Sequence, residues 1–208
     1  MRFVILLILL SSLSLIGAAC LKKEAPIMKP EEKILDKQVL IVIAFQGFQD
    51  LEYSKTREIL EKAGAKVVVA SSSLGKASGK FGAQTKVEVL INEIKIDDYE
   101  AIIFIGGPGA VEYIENQAAH RLAKEAIKAD KVVAAICIAP AILAKAGVLS
   151  GKKATVWSSI FDQEPIKILQ ENGAQYLDQD VVVDGKIITA NGPNAAEKFG
   201  QAIVEQLR

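Results

Sequence analysis

From Gln38 onward the chain alternates two apolar patterns, short unbroken runs and longer stretches with helical spacing. The runs are VLIVIAF (Val39 to Phe45), KVVVAS (Lys66 to Ser71), AIIFI (Ala101 to Ile105) and KVVAAI (Lys131 to Ile136). A strand with one wet face alternates apolar and polar residues. An unbroken run suits a strand covered on both faces, as in a parallel sheet between helical layers. Helical spacing predicts helices over Leu51 to Ala63, ended by Gly64, then Asn116 to Ala129, Pro140 to Ala146, Gln163 to Asn172 and Asn194 to Leu207. Asp50 stands where the first helix needs an N-cap. The run VVVDGKIIT predicts a hairpin with Asp184-Gly185 at its turn. Between residues 72 and 98, Gly75, Gly79 and Gly82 predict a loop, followed by a short edge hairpin around Lys86 to Leu90. The sum is a single α/β domain, a doubly wound parallel sheet in a three-layer sandwich, whose ligand sites lie at the carboxyl ends of the strands.

The first twenty residues, MRFVILLILLSSLSLIGAAC, break this rhythm. One cation at Arg2, an apolar run from Phe3 to Leu10 and the small residues Gly17, Ala18 and Ala19 predict a secretory signal. Cys20 directly after the small residues resembles a bacterial lipobox, in which the cysteine is lipidated and becomes the mature N-terminus. Cleavage after Ala19 without lipid is the alternative. An uncleaved anchor fits less well, because the strongly apolar run is shorter than the ~20 residues that span a bilayer. Residues 21–37 mix charges with two prolines and read as a tether, so the folded domain is expected over 38–208. The expected location is outside the cytoplasm, held to a membrane through that lipid alone.

Composition narrows the function. Half of the 208 residues are apolar and 24% are charged, which excludes disordered and low-complexity classes. Lys plus Arg equals Asp plus Glu at 25 each, so no electrostatic case exists for nucleic acid. Cys20 and Cys137 are the only cysteines, which excludes a disulfide framework. With His120 the single histidine, no zinc ligand set exists either. His120 reads as a surface residue on its helix, beside Arg121 and Lys124.

Three loops at strand ends carry unusual residues: Gln46 to Glu52, Gly106 to Gly109, and Cys137 to Pro140. In AAICIAP a strand runs into Cys137 and a helix begins almost at once, with small Ala135 and Ala139 two residues to either side. That is the steric pattern of a nucleophile elbow, a sharp turn that pushes its central side chain outward. Backbone N–H groups at the new helix should favour the thiolate and lower its pKa, and Pro140 suits a first turn. The alternative is an inert buried cysteine ending a core strand. The glycines of IGGPGA lack the phosphate-loop spacing. They suit an oxyanion hole of N–H groups from Gly106, Gly107 and Ile138, or a tight turn, or both at once. On its residues alone, Glu52 in GFQDLE reads as an acid favoured by a helix start.

At these positions the chain resembles the ThiJ/PfpI superfamily, the group of the Parkinson-disease-associated protein deglycase and the PfpI-type peptidases. The resemblance runs from about Gln38 to Arg208 through GFQDLE, AIIFIGGPGA, AAICIAP and VVVDGKIITANGP. It implies a flavodoxin-like sheet, a nucleophilic Cys137 against the Glu52 carboxyl, a pocket bordered by Pro193, no cofactor, and a homodimer or larger homo-oligomer. The activities it implies are glyoxalase or deglycase action on small carbonyl compounds or modified proteins, with stress sensing, chaperoning or binding without catalysis as alternatives. PfpI-type peptidases carry a histidine immediately after the nucleophile, where this chain has Ile138, so peptidase action fits least. The deglycase branch places a different histidine near the sulfur, and aligning KATVW puts Trp157 there. Glu112 is a candidate substitute for a carboxylate that peptidase members supply across a subunit contact.

Overall fold

The computed structural model describes residues 34–208, so the expected signal segment, Cys20 and most of the expected tether lie outside the described residues. The packed domain begins earlier than the pattern implied. Ile34 is buried and its N–H donates to the Ala63 carbonyl at 3.0 Å, while its apolar neighbour Leu35 stays exposed.

The first half of the chain supplies β1 (Gln38–Val42), β2 (Gln46–Phe48), α1 (Asp50–Lys62), β3 (Lys66–Ser71), β4 (Gly75–Gly79), β5 (Gln84–Val87), β6 (Val89–Leu90) and β7 (Ala101–Phe104). The second half adds α2 (Gln117–Lys128), β8 (Val132–Ile136), α3 (Pro140–Lys145), β9 (Lys153–Ala154), α4 (Glu164–Glu171), β10 (Gln175–Tyr176), β11 (Val181–Asp184), β12 (Ile187–Ala190) and α5 (Ala196–Leu207). Seven strands form the central sheet in the order β11-β12-β8-β7-β1-β3-β6. All neighbours are parallel except β11, which is antiparallel to β12.

The unbroken runs serve two cores at once, because successive strand residues point to opposite faces. Leu40, Val42, Ile102, Phe104 and Val133 pack under Leu122 of α2, Ile142 of α3 and Leu169 of α4. Val39, Ile41, Ile103 and Ala134 pack against Leu60 of α1 and Phe199 and Ile203 of α5. The result is the α/β three-layer sandwich that the pattern predicted.

Helix positions agree with the spacing to within a residue or two. Asn116 caps α2, its side chain accepting the N–H groups of Ala118 and Ala119 at 2.9 and 3.0 Å. The glycine-rich segment departs from expectation. Its hairpin joins β4 to β5, not residues 86–90, and β4 also pairs with β2 in a small separate sheet. Periodicity misses these strands because GKASG and QGF are short and poor in β-formers. The late hairpin turns at Gly185 and Lys186, while Asp184 ends its strand, paired with Ile187.

Sheet order places the ends of β1, β7 and β8 side by side, where successive connections leave in opposite directions from β1. That is the location at which open α/β sheets bind ligands.

Candidate active site

Each of those three strand ends delivers one part of the site. After β8, Cys137 takes φ 63°, a conformation that a non-glycine residue adopts only when its surroundings enforce it. Its N–H donates to the Ala190 carbonyl at the end of β12, and its carbonyl accepts the Trp157 N–H, both at 2.9 Å. The flanking Ala135 and Ala139 are fully buried, so larger residues would not fit. The elbow read from AAICIAP is present.

After β1, Glu52 lies in the first turn of α1 with 0% exposure. Its Oε2 accepts the Gly106 N–H at 3.0 Å. Its Oε1 is buried without a hydrogen-bond partner, and the Cys137 thiol is the side chain beside the carboxyl. Gly106 sits between the two: a Cβ there would lie 2.5 Å from the Cys137 Cβ and 2.9 Å from Glu52 Oε2. The Gly106 N–H is therefore committed to the carboxylate and is withdrawn from the expected oxyanion hole. The N–H groups of Gly107 and Ile138 face the sulfur. Gly107 has φ 106°, and a Cβ there would stand 2.5 Å from both the Gln49 nitrogen and the Gly47 oxygen.

The helix cap is Gln49, not Asp50. Gln49 Oε1 accepts the N–H groups of Leu51 and Glu52 at 2.7 and 3.0 Å, and its own N–H donates to the Gly106 carbonyl at 2.9 Å. Gln49 thus fixes the start of the turn that carries Glu52. Glutamine is a rare cap, so propensity pointed to its neighbour. Asp50 instead turns outward, accepting the N–H groups of Phe81 and Ala83 at 2.9 and 2.7 Å and holding the β4–β5 turn over the site.

The charge balance differs from the sequence expectation. Burial pushes the Glu52 carboxyl up to about 7, against smaller opposing effects of the Cys137 thiol and the Gly106 N–H. Burial, then the neighbouring Glu52 charge, push the Cys137 thiol up to about 12, while the Gly107 and Ile138 N–H groups favour the thiolate. Helix α3 has only six residues, so its end offers little to counter that push. The isolated thiol is therefore not acidified, and carboxyl and thiol titrate as a pair.

The raised carboxyl pKa has a consequence for stability. Between the ordinary 4.5 and about 7, folded Glu52 holds protons that the unfolded chain has released. Stability must fall as pH rises through this window, by about 3 kcal/mol for a group so deeply buried. Urea titrations should show Glu52→Gln gaining that amount over wild type between pH 5 and pH 8. Parallel pH profiles for the two proteins would sink the assignment.

A cavity of about 470 Å³ opens over the pair, with Cys137 and Ile138 at its lining and Trp157, Pro108 and Pro193 as apolar walls. His120 does not read as expected. It is 6% exposed, packed on the inner face of α2 with Nε2 2.7 Å from the Ile114 carbonyl, and absent from the cavity lining. Its charged neighbours at Arg121 and Lys124 masked an inward-facing position. Glu112 is exposed, with Oε1 3.4 Å from Ser72 Oγ, and takes no part in the lining. Among the described residues no group of three or more His, Cys, Asp and Glu is placed to hold a metal ion. A wider groove of about 610 Å³ beside Tyr53 and Arg57 has no cysteine in its lining.

A strand-to-helix cysteine, a buried glutamate and a glycine turn on a parallel sheet define a class of α/β proteins with a cysteine elbow. The chain belongs to the DJ-1/PfpI family, whose model matches residues 37–206. It is 38% identical over 203 residues to an uncharacterised protein of Methanocaldococcus jannaschii, covering 97% of this chain and 96% of that one. It is 31% identical to a deglycase of Thermococcus kodakarensis, over 81% of this chain and 99% of the relative. The crystal structure of a ThiJ/PfpI domain protein from Brachyspira murdochii superposes with TM-score 0.79 at 32% identity, covering 83% of this chain and 97% of that one.

Proposed function

We propose that this protein is a cysteine-dependent enzyme of the glyoxalase or deglycase type, acting on small reactive carbonyls through Cys137 with Glu52 as its proton partner. The observation that carries this reading is an elbow cysteine beside a buried carboxyl whose Oε1 has no hydrogen-bond partner, under a walled cavity. The deglycase relative supports the reaction class. Loss of the first proton from the pair, near the Glu52 value of about 7, leaves one proton shared between carboxyl and sulfur. With that proton on Glu52, the thiolate adds to an aldehyde carbon. The carbonyl π electrons pass to oxygen, which takes the Glu52 proton and yields a thiohemiacetal and a carboxylate. The carboxylate can then accept a proton from the adduct and return it. The test is methylglyoxal consumption by the purified full-length protein. Turnover that stops when Cys137 is alkylated beforehand supports the reading, and turnover indifferent to alkylation overturns it.

One observation favours a second reading. With Ile138 and Trp157 where the family's histidines would stand, no imidazole lines the cavity to move protons quickly. The same N–H groups at Gly107 and Ile138, with protonated Glu52, suit a sulfinate formed when two molecules of peroxide oxidise the thiol and leave as two of water. A Cys137 sulfinate at low peroxide, without carbonyl turnover, would establish a sensor in place of an enzyme.

The location proposed is the cell envelope, through lipid on Cys20. The full-length protein should sediment with membranes, and Cys20→Ser should release it or leave it unprocessed. A wholly soluble wild-type protein would refute this.

A further inference from the structure

The turn joining β4 to β5 is unusually well tied down for an exposed loop. Five consecutive N–H groups are satisfied: Gly79 by Ala83 O at 2.7 Å, Lys80 by Phe48 O at 2.8 Å, Phe81 and Ala83 by the Asp50 carboxylate at 2.9 and 2.7 Å, and Gly82 by Gly79 O at 3.2 Å. Gly79 packs so closely on Asp50 that a Cβ would lie 2.6 Å from its carboxyl atoms. Asp50 belongs to the same helical turn as Glu52, so the loop and the proton partner share one rigid base. What this turn presents to the cavity is Lys80 and Phe81.

Their chemistry fits an anion. Phe81 is 72% exposed, which an aromatic ring on a fixed turn tolerates when it borders a binding site. The Lys80 ammonium lies 5.2 Å from the Phe81 ring centroid and makes no ion pair among the described residues. The other polar linings each commit one oxygen to a backbone N–H. Gln49 caps α1, and Asp162 Oδ1 accepts the Glu164 N–H at 3.1 Å at the start of α4. The remaining walls are apolar. Lys80 is thus the one cation among the described lining residues, at a site whose floor is Cys137.

We infer that the substrates are carbonyl compounds that also carry a carboxylate, which the Lys80 ammonium binds at the cavity mouth while Cys137 adds to the carbonyl carbon. This deepens the carbonyl reading above and rests on Cys137 being the reacting group. With glyoxylate, the thiolate sulfur bonds to the aldehyde carbon and the C=O π pair moves to oxygen. That oxygen takes the Glu52 proton, leaving a thiohemiacetal whose carboxylate stays beside Lys80. No oxidant or reductant is consumed.

The test uses the full-length protein and two alkylating probes of similar size, anionic iodoacetate and neutral iodoacetamide, with Cys137 modification followed by peptide mass spectrometry. The iodoacetate-to-iodoacetamide rate ratio should fall about three- to tenfold in Lys80→Gln and further in Lys80→Glu, and high salt should erode the wild-type ratio. Lys86→Gln removes an exposed lysine of β5 outside the cavity and should leave the ratio alone. Glyoxylate should protect wild-type Cys137 from iodoacetamide, with the half-protecting concentration rising by a similar factor in Lys80→Gln. An unchanged ratio and unchanged protection in Lys80→Gln, with Cys137 still reactive, overturn this inference and leave the carbonyl reading standing. A Cys137 inert to both probes overturns the carbonyl reading and this one with it.

Discussion

Replacing Cys137 with Ser is expected to bring methylglyoxal turnover to background, and replacing Glu52 with Gln to cut it by about 10²- to 10⁴-fold, the range for loss of a positioned proton carrier. The two variants should part company in a second measurement. In Glu52→Gln the surviving thiol should alkylate faster at neutral pH than in wild type, because the carboxylate charge that pushes its pKa up is gone. Glutamine keeps the size of the side chain and its acceptor toward the Gly106 N–H, but it cannot give a proton to a new alkoxide. Lower turnover beside faster alkylation is the signature of a proton partner. Both rates falling together would make Glu52 merely a support for the elbow.

Gly109→Ala should unfold the protein at a temperature lower by about 6 to 12 °C, corresponding to about 3 kcal/mol or somewhat more. The loop after β7 lies backbone against backbone on the loop after β1. A Cβ at Gly109 would stand 1.9 Å from the Gln46 carbonyl oxygen and 2.7 Å from the Ala44 Cβ. No flexible side chain tip is available to yield, so the two loops must separate. Their separation would also draw Gly106 away from Glu52 and weaken the 3.0 Å contact that orients the carboxyl. Thermal unfolding and Cys137 alkylation should therefore change together. A melting temperature within 2 °C of wild type would contradict the packing.

Much of the fold was legible because burial on two faces leaves a strong mark in sequence. The four unbroken runs of β1, β3, β7 and β8 and the capped spacing of α2 each followed from local pattern. The β2–β4–β5 sheet was not legible, since its residues are held by backbone pairing and by Asp50, neither of which produces a hydrophobic period. His120 was misread for a related reason. Its helix carries the cations Arg121 and Lys124 just after it, and only the packing of α2 on the sheet decides that its ring turns inward.

By itself the sequence determined the sandwich, the elbow at Cys137 and the glycine turn at Gly106 and Gly107, because each depends on residues adjacent along the chain. Small Ala135 and Ala139, the glycines and the apolar runs act locally, so their meaning survives without coordinates. The tertiary structure alone decided other meetings: the Gly106 N–H spent on a carboxylate, Gln49 as the cap, and Lys80 above the cavity. It also reversed the expected acidity of the thiol. Acidity reflects how much water a charge loses and which charges share its cavity. Those quantities arise only when residues far apart in sequence are brought together out of solvent.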